Sequence, residues 1–95
     1  MNTFKLIVST PDGDAFNGEA YMLSVRGAEG SLAVMAGHIP FITTVKPGEC
    51  RIDPAGEDEH DLVGFTDGGL LTVSPDAVTL LSGSFRWQTE TPPGR

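Results

Sequence analysis

Apolar and polar residues alternate along most of this chain, and the alternation predicts short β-strands. Side chains of a strand point to opposite faces in turn, so a period of two residues is the signature of a half-buried strand. No window of a dozen residues has apolar residues at i, i+3, i+4 and i+7, so we expect little or no helix. The alternating or β-rich segments are residues 4–10, 19–26, 41–45, 49–52, 62–66, 70–74, 78–82 and 85–88.

Turn residues separate these segments and set the expected architecture. Residues 11–14 (Pro-Asp-Gly-Asp) and 47–48 (Pro-Gly) predict turns. Residues 67–69 (Asp-Gly-Gly) predict a β-hairpin between the strands on either side, and residues 15–18 predict a short edge strand. About eight to ten short strands with such turns are typical of a two-layer β-sandwich or a flattened barrel.

Residues 27–40 mix turn, apolar and titratable residues more densely than the rest of the chain. They contain three glycines, His38 and Pro40, and they join two β-rich runs. Exposed apolar groups beside turns are typical of interfaces. We therefore predict a docking edge here, at a hairpin-like corner between two sheets.

Charge and cysteine content restrict the possible partners. The chain has 95 residues, enough for one domain, and its thirteen acidic and six basic residues give a net charge of −7. Nucleic acid and anionic lipid carry the same sign, so we expect neither as a partner. The single Cys50 excludes an internal disulfide. We expect no signal peptide and no direct membrane insertion, because no apolar run approaches the roughly 20 residues that span a bilayer.

Few residues are candidates for catalysis or metal binding. His38, Cys50 and His60 lack the short ligand spacings of a zinc site, and there is no G-x-S-x-G elbow. A Cys50–His38 nucleophile pair is possible on paper, but the alternation favours a small buried Cys50 beside an inward Ile52. His60 lies in an acidic run, residues 53–61, that we expect to form a solvated hairpin tip. We predict no catalytic residue, no metal site and no cofactor.

His38 has two interpretations. It is either held by local backbone bonds at a sheet corner, or it contacts a partner protein together with its apolar neighbours Met35, Ile39 and Phe41.

A series of motifs is similar to the N-terminal domain of the epsilon subunit of F-type ATP synthases, over about residues 3–84. The most specific is the pattern E-G-x-L-x-V-x-x-G-H-x-P at residues 29–40. The flanking motifs are Thr10-Pro11-Asp12-Gly13, Phe16-Asn17-Gly18, Lys46-Pro47-Gly48, Asp67-Gly68-Gly69 and Val78-Thr79-Leu80-Leu81.

The resemblance implies an all-β fold, a flattened ten-stranded β-sandwich or barrel at the foot of the central stalk. It also implies a non-catalytic subunit that binds gamma and the c-ring and helps to couple proton transport to ATP synthesis. Such a subunit is peripheral, on the cytoplasmic face of the bacterial plasma membrane, through the ATP synthase complex. The residues whose positions imply contact with the c-ring loops are Glu29, Gly30, Ser31 and Leu32. Those whose positions imply contact with gamma are His38, Ile39, Pro40 and Phe41.

The chain departs from the family pattern at two positions and at its end. Ser31 stands where the family commonly has an acidic residue, so Glu29 would carry the charge, and Ala33 stands where glycine is common. Full-length members continue into two C-terminal helices, for which this sequence has no helical pattern. We predict a domain over residues 3–88 and a disordered tail over residues 89–95.

Two other functions are consistent with a small acidic β-sandwich. A module that binds protein or carbohydrate would need a groove with exposed aromatic residues, for which Tyr21 and Trp87 are the candidates. A small hydrolase would need Cys50 and His38 within hydrogen-bond reach of each other.

Overall fold

A computed structural model describes residues 2–55 and 61–88, which form nine β-strands. The predicted all-β class is confirmed, and these residues contain no helix. The strand number is nine in the described residues, where the resemblance implied ten. The strands are β1 (Phe4–Thr10), β2 (Gly13–Gly27), β3 (Gly30–Met35), β4 (Phe41–Val45), β5 (Gly48–Pro54), β6 (Leu62–Thr66), β7 (Gly69–Val73), β8 (Val78–Ser82) and β9 (Phe85–Trp87).

The strands form one continuous hydrogen-bonded path that folds over into two layers. Its order is β1-β8-β7-β4-β2-β5-β6-β9, with β3 paired to β2 and a further pairing between β1 and β2. Strands β4, β7, β8 and β1 make the first layer, and β3, β5, β6 and β9 make the second layer with the C-terminal half of β2. The described residues include no helix long and apolar enough to cross a bilayer.

Strand β2 belongs to both layers because it is long and bends. It pairs with β1 over Gly13–Ala20 and with β3 and β5 further along. Its register with β5 shifts between Ala20 and Met22, which is a β-bulge. A bulge increases the local twist and bends the strand. The prediction of a separate edge strand at residues 15–18 was therefore wrong, because these residues are the first half of β2.

The core lies between the layers and is built from the alternating apolar positions. Cys50 and Ile52 are fully buried while Glu49 and Arg51 are exposed, which confirms the predicted alternation of β5. Phe85 of β9 packs against this core over Gly64. The buried hydrophobic residues are Leu6, Val8, Ala20, Leu23, Val25, Val34, Val45, Cys50, Ile52, Leu71, Val73, Val78 and Leu80.

Residues 67–69 connect the two layers, so the predicted β-hairpin at this position was wrong. Strand β6 pairs with β5 and β9, whereas β7 pairs with β4 and β8. Gly68 has φ +103°, and a Cβ at this position would lie 2.8 Å from the carbonyl oxygen of Val45. The glycine at position 68 allows the backbone to pass close to β4 where the chain crosses from one layer to the other.

Candidate docking surfaces

The first half of the predicted docking edge is the tip of the β2–β3 hairpin. Gly27 pairs with Gly30, so the loop consists of Ala28 and Glu29. Glu29, Gly30 and Ser31 are exposed, while Leu32 is half-buried and packs against the core. Of the four residues expected to face the c-ring, three are therefore on the surface, and Leu32 supports the hairpin from inside.

The second half of the docking edge is the connection from β3 to β4. Ile39 is 81% exposed, Pro40 is also exposed, and Phe41 is half-buried against the core. The His38 ring is half-buried, and its Nδ1 lies 3.0 Å from the backbone nitrogen of Met35 and 2.7 Å from its carbonyl oxygen. Local backbone bonding of His38, one of its two interpretations, is what the structure shows.

Strand β3 separates these two halves. Ala28 and Glu29 precede the strand, and residues 36–40 follow it. At about 3.3 Å per residue, the hairpin tip and His38 lie roughly 20 Å apart. The predicted corner between two sheets is therefore two features, because the hairpin stays within one layer and only residues 36–40 lead to the other.

An uncharged outer face on the first layer was missed in the sequence. Two rows of outward side chains cross four strands, and none of the eight residues is charged. Ile42, Leu70 and Leu81 are 66%, 38% and 50% exposed, which is high for large apolar residues. We call this surface the uncharged face. The rows are Ile42–Thr72–Thr79–Ile7 and Thr44–Leu70–Leu81–Ser9.

The uncharged face could not be found from local patterns. Each of its strands carries one outward apolar residue, which is ordinary for a surface. Only the order β1-β8-β7-β4 brings residues 7, 42, 70 and 81 onto one surface. The signal in the sequence was the absence of charge at these outward positions of a chain with net charge −7.

The structure gives the Cys50–His38 pair no support. Cys50 is fully buried in β5, and burial, with the neighbouring Glu49 carboxylate, raises the pKa of its thiol to about 12. A buried thiol that stays protonated at neutral pH is a poor nucleophile. His38 directs its Nδ1 to the backbone of Met35.

The other candidate residues that the structure describes do not converge on one site. Trp87 packs edge-on against Phe85 at 4.9 Å between ring centroids, and Tyr21 is half-buried in β2, which does not pair with β9. Arg51 forms ion pairs with Glu49 at 2.8 Å and with Asp61 at 3.6 Å, at the base of the acidic run. His60, and most of the predicted acidic tip, lie outside the described residues.

The fold defines the chain as a small β-sandwich domain, and comparison with known proteins gives its family. Residues 3–88 match the profile of the family described as ATP synthase, Delta/Epsilon chain, beta-sandwich domain. The chain belongs to this family, which confirms the resemblance seen in the motifs.

Two relatives show how much of the family's length is present. The chain is 38% identical over 81 residues to the ATP synthase epsilon chain of Herminiimonas arsenicoxydans, covering 85% of this chain and 57% of that one. It is 38% identical over 82 residues to the epsilon chain of Bacillus velezensis, covering 86% and 60%. The chain thus spans less than two thirds of the length of these relatives.

Solved structures share the fold at low sequence identity. A chain in the cryo-EM structure of the Euglena gracilis mitochondrial ATP synthase, comprising OSCP, F1 and the c-ring, has a TM-score of 0.81 at 18% identity. The match covers 90% of this chain and 53% of that one. A chain of the Tetrahymena thermophila mitochondrial ATP synthase, in a structure of the central stalk and c-ring, has a TM-score of 0.72 at 18% identity. That match covers 88% of this chain and 66% of the other.

Proposed function

We propose that this chain is a non-catalytic central-stalk subunit of an F-type ATP synthase, which binds gamma and the c-ring. In this role it helps to couple proton transport to ATP synthesis at sites on other subunits. Family membership supports the general role, and the observation that carries gamma binding is the uncharged face. A contiguous set of exposed apolar residues on a chain of net charge −7 is interface material.

The uncharged face offers apolar side chains that gamma would bury. Leu70 and Leu81 are cross-strand partners on β7 and β8, so they form one apolar patch beside Ile42 on β4. Burying a large aliphatic side chain contributes about 1.5–3 kcal/mol before the costs of association. Three such residues, surrounded by threonine and serine hydroxyls, suit a specific interface of moderate size. The gamma-facing role proposed for residues 38–41 adds the exposed Ile39 and Pro40, which lead into β4 just before Ile42.

The hairpin tip supports the proposed contact with the c-ring. Ala28 and Glu29 project from the end of the sandwich, and Glu29 is the charged residue of the tip. The tip and the His38 connection lie at opposite ends of β3, so the two contacts need not compete for one surface. Glu29 is suited to a basic or polar loop, because opposite charges steer association.

The proposed location follows from these contacts. The chain is peripheral on the cytoplasmic face of the bacterial plasma membrane, attached through gamma and the c-ring and not by its own insertion. The proposed non-catalytic role is consistent with a buried Cys50 and with a His38 ring bonded to backbone.

Titration of the purified chain with gamma tests the proposal. We expect wild-type binding at micromolar concentration or tighter, and we expect Leu81→Glu to weaken it by at least about tenfold because a carboxylate would be buried in the interface. Gln88→Glu adds the same charge at an exposed position after β9 and is the matched control. Absence of wild-type binding at micromolar concentration would contradict the proposal, and equal weakening by both variants would remove the uncharged face from it.

The c-ring contact needs its own experiment. A complex of the chain with gamma should retain detergent-solubilised c-ring, and Glu29→Ala should reduce the amount retained. Glu49→Ala, at an exposed position of β5, is the control for loss of one negative charge. Retention that is unchanged by Glu29→Ala would place the contact elsewhere.

A further inference from the structure

Among residues 2–55 and 61–88, strand β3 is paired along one edge, to β2, and its other edge is open. It pairs with β2 in an unbroken register from Gly27–Gly30 to Met22–Met35. Opposite residues in an antiparallel ladder alternate between hydrogen-bonded and non-hydrogen-bonded pairs. The closing pair Gly27–Gly30 of a two-residue loop is hydrogen-bonded. The backbone groups of residues 30, 32 and 34 therefore point to β2, and those of residues 31, 33 and 35 point to the open edge.

Two hydrogen bonds confirm this assignment independently. Arg26 lies opposite Ser31, and its carbonyl oxygen accepts a bond from the Lys46 backbone N–H at 2.8 Å, on the side of β2 away from β3. Met35, at the other end, directs both its backbone nitrogen and its carbonyl oxygen to His38 Nδ1. In both contacts the backbone groups point away from the partner strand. The Arg26–Ser31 and Met22–Met35 pairs are therefore of the non-hydrogen-bonded type.

The open edge is short and lacks the usual protection. Residues 30–35 contain no charged residue and no proline, and their ladder has no bulge, which are the devices that normally block an exposed edge. The His38 ring covers the edge at Met35. Ser31 and Ala33 are exposed, and β2 is the one strand that pairs with β3 among residues 2–55 and 61–88.

A cleft lies beside the start of this edge, at Ser31. It has a volume of about 370 Å³ and separates the start of β3 from β4, with Leu32, Phe41 and Ile42 as its apolar lining. Glu29 is the charged side chain among the described residues that line it. The cleft thus adjoins Ser31, the first residue of β3 whose backbone groups point to the open edge.

We propose that the open edge of β3 accepts a strand from the stalk subunit that the chain binds. The added segment is extended, pairs its backbone with Ser31 and Ala33, and ends where His38 covers Met35. It places an apolar side chain over Leu32 and Phe41 and leaves Glu29, at the hairpin tip, free for the proposed contact with the c-ring. In strand addition of this kind the backbone bonds supply affinity, and the pockets for alternate side chains supply specificity.

A basic segment of a partner fits this edge better than a second copy of this chain. Each copy carries a net charge of −7, so self-pairing brings like charges together, whereas a basic strand is attracted to this acidic chain. The inference rests on the proposed function for the identity of the partner, so gamma is the partner to be tested.

Ala33→Pro tests the strand addition without removing any bond of the β2–β3 ladder. Its missing N–H is one that points to the open edge, and proline is tolerated in edge strands at such positions. Ala33→Thr adds a β-branched side chain but keeps the N–H, and it is the matched control. Unfolding midpoints of both variants should stay within a few degrees of wild type, which shows that the fold is intact.

We expect Ala33→Pro to weaken gamma binding by about tenfold or more, because it removes one backbone N–H donor and its ring blocks the approach of the added strand. We expect Ala33→Thr to weaken binding by less than about threefold. Amide exchange at Ser31 and Ala33 should slow by at least about tenfold when gamma is bound.

If gamma binds both variants equally and these amides stay unprotected, the inference is wrong while the proposed function stands. If gamma does not bind the wild type, both fail. If protection appears without gamma and grows with chain concentration, a second copy occupies the edge and the inference is overturned.

Discussion

His38 Nδ1 lies 3.0 Å from the Met35 backbone nitrogen and 2.7 Å from the Met35 carbonyl oxygen. These are the two backbone groups that Met35 directs away from β2. The ring nitrogen can accept from the N–H when it is unprotonated, or donate to the carbonyl when it is protonated, but it cannot do both at once. The imidazole therefore takes the place that the backbone of a neighbouring strand would occupy beside Met35. The open edge of β3 is limited to the residues before Met35.

Replacement of His38 should expose this part of the edge. His38→Ala removes the one described contact of these Met35 groups, and we expect the free energy of unfolding to fall by about 1 kcal/mol or less, because water replaces the bond at a partly exposed site. The amide of Met35 should exchange faster with solvent, which NMR-detected hydrogen exchange can measure. Ile39→Ala, at an exposed neighbour, should change neither quantity, and equal Met35 exchange in His38→Ala and wild type would contradict the role given to His38.

The strands were predictable from the sequence because alternation is a property of consecutive residues. Residues 4–10, 41–45 and 62–66 were predicted with the bounds that the structure shows. Residues 15–18 were wrongly assigned to a separate strand, because four residues are too few to show that they continue into residues 19–27. The bend of β2 comes from a bulge, which this pattern does not reveal. Local bonding of His38 was foreseeable because its partner lies three residues away.

Strand partners and composite surfaces were not predictable, because they depend on contacts distant in sequence. The Asp-Gly-Gly motif at residues 67–69 signals a tight turn, but the motif does not say whether the flanking strands pair with each other. The uncharged face gathers residues 7, 42, 70 and 81 from four strands, and only the strand order reveals it. The hairpin tip could be located without the structure, since its glycines and Glu29 are adjacent.

A buried chain of hydroxyl groups fixes the connection between the two layers. Gly68 N–H donates to Thr66 Oγ1 at 3.0 Å, Thr66 Oγ1 lies 2.6 Å from Ser82 Oγ, and Ser82 Oγ donates to the Ser84 carbonyl at 2.6 Å. Asp67 accepts from the Ser84 N–H at 3.0 Å. Thr66 and Ser82 are 4% and 5% exposed, so water cannot readily replace these bonds.

Removal of either hydroxyl should destabilise the domain. We expect Thr66→Val and Ser82→Ala each to lower the free energy of unfolding by about 1–3 kcal/mol, because each leaves a buried partner unsatisfied. The double variant should lose less than the sum of the two by about 0.5 kcal/mol or more, since neighbouring residues of one network couple. Urea unfolding of the four proteins measures this.

Thr79→Val is the control for this cycle, because Thr79 is a half-buried threonine on the outer face of β8. Its stability should change by less than about 0.5 kcal/mol, as for most surface positions. Additive losses in the Thr66 and Ser82 variants would show that the two hydroxyls act separately, contrary to the hydrogen-bond chain.

Alanine substitutions at Gly13 and Gly68 distinguish the cost of backbone strain from the cost of a steric clash. Both have positive φ, +103° and +125°, but a Cβ at Gly13 meets no atom within 4 Å, whereas a Cβ at Gly68 lies 2.8 Å from the Val45 carbonyl oxygen. We expect Gly13→Ala to cost about 1–2 kcal/mol from backbone strain alone. Gly68→Ala should cost at least about 1 kcal/mol more, because backbone atoms of β4 must also move.

Thermal or urea unfolding of the two alanine variants provides this comparison. Far-ultraviolet circular dichroism should show that both keep their strands. A Gly68→Ala variant as stable as Gly13→Ala would mean that the crossing at residues 67–69 relaxes without cost, and the steric explanation for this glycine would be abandoned.

The buried Cys50 thiol should make stability depend on alkaline pH. Its pKa is raised to about 12 by burial, with a contribution from Glu49, whereas the unfolded chain has the ordinary value of 9.0. A group whose pKa is raised on folding stabilises the native state fully below the unfolded pKa and loses that contribution as pH rises through the folded pKa. The free energy of unfolding should therefore fall from about pH 9 to about pH 12, with a slope from this one thiol approaching about 1.4 kcal/mol per pH unit.

Cys50→Val isolates this contribution from other groups that titrate in the same range. Valine is close to cysteine in volume and does not ionise, so the difference in stability between wild type and variant should shrink or reverse as pH rises above 9. The native thiol should also react slowly with a thiol reagent at pH 8, at a rate that rises when the chain is unfolded in urea. Parallel stability curves between pH 8 and 11, or rapid labelling of the folded chain, would show that Cys50 reaches solvent. Such a result would reopen the question of a reactive cysteine in this domain.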